Sequence, residues 1–169
     1  MPSHAEKNQT EIKNYYRIID PEERLSENEK AEEERKVLEN MPACFPAALR
    51  YVMTRFGFTQ EALAFESKVS ESTIGRYRNG KVESFSEKNV VALCVAMHLP
   101  PWLSFALIEK AGFSLAATKE QLAHLMILNC MYMRSIDEVN EYLRERETDS
   151  LGDGSICGRH CHSGGGRYP

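Results

Sequence analysis

Residues 58–81 read FTQEALAFESKVSESTIGRYRNGK, and their spacing predicts two short helices joined by a tight turn. Thr59 is a good N-cap, with Phe58 before it and Leu63 four positions into the helix, the arrangement of a hydrophobic staple. Ser70 repeats the device, with Val69 before it and Ile74 at the matching place. Only residues 67–69 separate the two. Helices this short do not stand alone in water, so they must pack on each other and cross steeply. Leu63, Ala64, Val69 and Ile74 are expected at the crossing, where the small Ala64 permits close approach. Asn79 and Gly80 end the second helix, Gly80 suiting the left-handed residue that follows a helix C-terminus.

If Ile74 points inward, Glu71, Ser72, Gly75 and Arg76 lie outward. Glu71, Ser72 and Thr73 occupy the first turn, where side chains project beyond the helix end. Short polar groups there, with a longer donor one turn later, suit insertion into the major groove of duplex DNA. Arg76 has the fork to donate twice to guanine, Glu71 accepts from cytosine N4, and Ser72 serves either. Gln60, at the start of the first helix, reaches toward a phosphate. Asn79, Gly80 and Lys81 offer donors to another, and Arg78 joins Lys81 as a backbone-contacting cation. Each has a structural counterpart: an arginine late in a helix and an acid early in one both suit the helix dipole without any ligand, and Arg78 and Lys81 suit a solvated face. Tyr77 is expected to pack partly against the bundle.

The run Thr59-Gln60-Glu61-Ala62-Leu63-Ala64, then Val69-Ser70-Glu71-Ser72-Thr73-Ile74, then Arg76, Asn79 and Gly80 resembles the Xre/lambda-repressor-like helix-turn-helix family. The resemblance covers about 65–70 of the 169 residues. It implies an all-α, five-helix bundle over 45–113, with 86–99 and 100–112 as the fourth and fifth helices. It also implies phosphate contacts at Gln60 and Asn79, and base contacts at Glu71, Ser72 and Arg76 with Thr73 between them. The function it implies is sequence-specific binding of double-stranded DNA by a repressor-like transcriptional regulator of a bacterium or mobile element. Two features depart from the family. Gly75 costs the recognition helix about 1 kcal/mol relative to alanine, and either permits close backbone approach to DNA or is tolerated. Glu71 is acidic where many relatives carry Gln, Thr or Arg, which lowers non-specific attraction to phosphate.

Helical spacing outside the motif predicts elements near 45–55, 59–66, 70–78, 86–98 and 101–111, with Pro100 and Pro101 stopping one helix and starting the next. Residues 1–44 form an acidic extension, partly helical or disordered, in which Tyr15, Tyr16, Ile18 and Ile19 make an apolar island. Residues 114–148 form one or two further helices, the second capped by Ser135. Within them 122–133 is apolar almost all round, which predicts either burial against its own bundle or a homodimer or partner contact. Residues 149–169 are Gly-rich and read as a flexible tail.

Net charge is −4, unevenly spread. Residues 45–113 hold 8 Lys+Arg against 6 Asp+Glu, while 1–44 hold 7 against 11 and 114–169 hold 6 against 8. The middle is mildly basic and the flanks acidic, which neither proves nor excludes phosphate binding and keeps a second class open. In that class the same fold is a protein-interaction module, such as an antitoxin-like partner. Five cysteines at scattered spacing are no disulfide framework, and Cys94 and Cys130 read as small core residues. Cys157, His160, Cys161 and His162 supply ligand types for a metal, but the adjacent residues 160–162 do not readily close one tetrahedral site. His98 and His124 read as core or surface histidines. No catalytic pattern, metal site or cofactor motif is found, so a non-enzymatic protein without cofactor is expected. No apolar run spans a bilayer and the N-terminus lacks a secretory pattern, so a cytoplasmic location is expected.

Overall fold

Side-chain caps partition the chain, at Thr59, Ser70 and Ser135 as expected and at Ser86 and Thr118 besides. The hydroxyls of Thr59, Ser70, Ser86, Thr118 and Ser135 accept from Ala62, Thr73, Asn89, Gln121 and Glu138 backbone N–H groups, at 3.1–3.5 Å. Such a cap contributes about 1 kcal/mol by satisfying an otherwise orphaned donor. At Ser135 it is a full capping box, since Glu138 also accepts from Ser135 N.

The computed structural model of the chain describes residues 27–152, and among them the secondary structure is entirely helical. The order is α1 (Glu27–Asn40), α2 (Phe45–Arg55), α3 (Gln60–Ser67), α4 (Glu71–Asn79), α5 (Glu87–Ala96), α6 (Pro101–Lys110), α7 (Lys119–Met126) and α8 (Ile136–Glu145). Elements α2 to α6 are the five helices expected over 45–113. The island at 15–19, the metal-ligand types at 157–162 and both termini lie outside the described residues.

Helix α5 is the hub. Every residue from Asn89 to Ala96 is buried, and α3, α6, α7's continuation and α8 all pack against it. A helix apolar on all faces requires such all-round cover. Helix α1 is mostly solvated. Its acidic surface is tied by Arg35 to Glu32 and Glu39 and by Lys36 to Glu33, while Val37 and, just beyond the helix, Met41 reach the core.

The apolar stretch 122–133 divides between both expectations. Ala123, His124, Ile127 and Leu128 face the bundle, whereas Leu122, Met126 and Met133 stand about half exposed. Up to Met126 the division follows ordinary helical spacing, and a π turn at Ile127–Met131, with its wider ladder, then re-phases the helix. Cys130, read from sequence as a core residue, is exposed there, while Cys94 is buried as expected. His124 is fully buried, with Nδ1 2.9 Å from Glu87 Oε1, and Gln121 Nε2 donates to Glu87 Oε2. Glu87 opens α5, so α7 is fastened to the start of the hub.

The expected boundary at 149 also moves. Leu151 is wholly buried and Gly152 buried, and Asp149 pairs with Lys88. Residues 149–152, assigned from sequence to the tail, therefore pack on the bundle, because one apolar side chain outside any periodic pattern plugs the core.

Candidate nucleic-acid interface

The paired helices are held from beneath. Leu63, Val69 and Ile74 are essentially inaccessible and Ala64 is half-buried among them. The turn between α3 and α4 uses Lys68 in the left-handed conformation at φ 57°. At the far end of α4, Gly80 takes φ 64° and its N–H, with that of Lys81, closes onto the Tyr77 and Arg76 carbonyls. Tyr77 is in the core, as an edge-on partner of Phe45 and Phe85 at 6.1 and 5.2 Å, and its hydroxyl accepts from Ser86 N at 2.9 Å. This aromatic cluster fastens the C-terminal half of α4 to α2 and to the loop before α5.

What α4 leaves outside is polar. Glu71, Ser72, Arg76 and Asn79 are exposed, as is Lys81 just beyond. Ser72, Arg76 and Asn79 follow one helical stripe at i, i+4 and i+7, with Glu71 and Gly75 alongside. The side chains of Arg76 and Lys81 have no hydrogen bond or ion pair among the described residues. Both line an open groove of about 550 Å³ whose other walls include Thr73, Ser84, Phe85 and Asn89. The loop residues of that groove carry no local signal in the sequence, because only the fold brings them beside α4.

Two of the expected site residues sit differently from their neighbours. Thr73 is only 8% exposed, and its Oγ1 accepts from Ser70 Oγ at 2.8 Å. It supports the start of α4 from below rather than projecting with Glu71 and Ser72. Gln60 is half-buried and lies across α4. Its Nε2 donates to the Glu71 carbonyl at 3.1 Å and approaches Glu71 Oε1 at 3.4 Å, while its Oε1 accepts from Arg78 Nη1 at 3.0 Å. Arg78, grouped from sequence with the outward cations, is turned back onto Gln60, and its own carbonyl accepts from Arg50.

Residues 49–101 match the family model for the helix-turn-helix, a span from the middle of α2 to the first residue of α6 that contains both capped helices. No curated protein and no solved structure matches the chain.

Proposed function

We propose, on the premise that residues 49–101 are a helix-turn-helix domain of the Xre/lambda-repressor-like family, that this chain is a sequence-specific double-stranded-DNA-binding regulator of transcription that inserts α4 into the major groove. The observation that carries the proposal is the outer face of α4. It is polar and exposed, and Arg76 has no internal partner among the described residues. A cation set on a fixed helix with its donors unused is what bidentate recognition of guanine requires. Glu71 and Ser72 would read neighbouring base edges, with Thr73 below them. Asn79, Lys81 and the Gln60 amide would meet phosphates and so set register.

One such module reads few base pairs, so useful specificity calls for two copies on a pseudo-palindromic site. The outer face of the 122–133 segment, with Leu122, Met126 and Met133 exposed, is proposed as that homodimer contact. A repressor-like role in the cytoplasm of a bacterium, or on a mobile element, accompanies this proposal. No helix among the described residues is long and apolar enough to cross a membrane.

The same exposed apolar side chains, together with Phe65 at 71% exposure, favour a second reading in which the fold holds a protein partner. Selection of bound duplexes from a random library, with wild-type protein and Arg76→Ala in parallel, separates the two. A motif enriched by the wild type and relaxed by Arg76→Ala supports the regulator. Failure to enrich any duplex at low salt rejects it in favour of a protein partner, whose apolar contact would be insensitive to salt.

A further inference from the structure

We infer that Gly75 is a specificity-determining position of α4, because its missing Cβ is the seat of the Gln60 amide that steadies Glu71. The inference rests on DNA recognition by α4.

A methyl group placed on Gly75 would lie 3.1 Å from Gln60 Nε2 and 3.5 Å from Gln60 Oε1. Both distances involve the same amide, and the shorter is tighter than ordinary van der Waals contact. Any other residue at this position would therefore oblige the amide to give by a few tenths of an ångström, enough to carry its 3.4 Å approach to Glu71 Oε1 out of hydrogen-bond range. From that seat it makes three contacts at once, with the Glu71 carbonyl, Glu71 Oε1 and Arg78 Nη1. Gln60 belongs to α3 and the other two belong to α4, so the amide is also a bolt between the two helices.

Glu71 is exposed at the first position of α4, where an unrestrained side chain would sample several rotamers. Contact of one carboxylate oxygen with Gln60 narrows that set and leaves the second oxygen to accept from a base amino group. A carboxylate held in one direction discriminates between bases better than a mobile one, since less ordering is needed on binding. A helix-interior glycine is otherwise unfavourable, so Gly75 stands here against local preference. It is a positioning residue that acts through Gln60.

Gly75→Ala, Gln60→Ala and the double variant test this by competition binding to the selected duplex and to its single-base-pair substitutions. Gly75→Ala is expected to keep or raise the melting temperature. It should lower discrimination by about tenfold at the base pair sensitive to Glu71→Ala, leaving the Arg76 position unchanged. Gln60→Ala should lose the same discrimination, with an additional uniform loss if its phosphate contact goes too. The double variant should discriminate no worse than either single variant, because both remove one interaction. Unaltered preference in Gly75→Ala, or independent additive losses in the double variant, would overturn the role of Gly75 while DNA recognition stands. A wild-type protein that selects no duplex would refute DNA recognition by α4 itself, and this inference with it.

Discussion

Asn140 grips Leu151 by both edges of its backbone: its Oδ1 accepts from Leu151 N at 2.7 Å and its Nδ2 donates to Leu151 O at 3.3 Å. The pairing lets the chain after α8 satisfy its polar groups while the Leu151 side chain enters the core. It also sets Gly152 against the turn of the helix-turn-helix, where a Cβ would meet the Ser67 and Lys68 carbonyl oxygens at 2.8 Å. Together with the Lys68–Asp137 ion pair, this makes the C-terminal extension a brace on the turn that precedes α4.

Asn140→Ala therefore leaves a buried N–H and C=O without partners. It should destabilise the protein by about 1–3 kcal/mol, read as a lower urea midpoint at unchanged m-value. Gly152→Ala should also destabilise, because its φ of 80° and the two rigid carbonyls leave no room to yield. A midpoint within error of wild type for both variants would show that residues 149–152 do not brace the fold.

The caps make a second expectation. Thr59→Ala and Ser70→Ala should each cost about 1 kcal/mol, visible as a lower thermal midpoint. Ser70→Ala should be the more damaging for DNA binding, since Ser70 Oγ also holds Thr73 beneath the exposed face. Equal binding losses would indicate that Thr73 has no part in placing Glu71 and Ser72.

Glu138 carries the pH dependence of α8. The Ser135 backbone N–H first, then the Ser135 hydroxyl and Arg134, hold its carboxyl below the ordinary value of 4.5. A depressed carboxylate stabilises the fold above its unfolded value, and that contribution is lost as pH falls through the lower folded value. Glu138→Gln should thus melt lower than wild type at neutral pH. The gap should close in acid below the carboxylate range, whereas a gap that persists there would assign the effect to packing.

Arg76 and Lys81 should respond differently on DNA. Arg76→Ala is expected to cost about 1–3 kcal/mol and to relax preference at one base pair, while Lys81→Ala should weaken all duplexes alike and reduce the salt slope by about one. Binding isotherms across a salt series check both. Loss of preference in Lys81→Ala would place that residue on a base rather than on a phosphate.

Cys94 is buried, and desolvation pushes its thiol up to about 12. Since the thiolate is the reactive form, alkylation at neutral pH with mass-spectrometric mapping should modify Cys44 and Cys130, both exposed, and spare Cys94 until denaturant is added. Rapid modification of Cys94 in the folded protein would mean that α5 is not enclosed.

The elements legible in the sequence are those set by neighbours within about four residues. Thr59, Ser70, Ser86 and Ser135 cap because a hydroxyl reaches an N–H three positions on. Gly80 ends α4 because it accepts a left-handed conformation cheaply, and Pro101 opens α6 for a reason equally local. Staples and caps thus determined the two short helices and their turn, and helical spacing from Ile74 placed Glu71, Ser72 and Arg76 opposite the core. Only the tertiary structure decided the rest, since it turns on contacts between residues distant in the chain. Thr73 and Ser72 are adjacent first-turn hydroxyls, and packing alone sinks one and exposes the other. Arg78 turns inward because Gln60, 18 positions earlier, has come to lie over Gly75. Cys130 faces out because packing against α5 and α6 accompanies a π turn that shifts the register. Leu151 joins the core because Asn140 waits 11 residues away to receive its backbone. Local chemistry fixes where helices start and stop, while the faces they present depend on what the whole fold places opposite them.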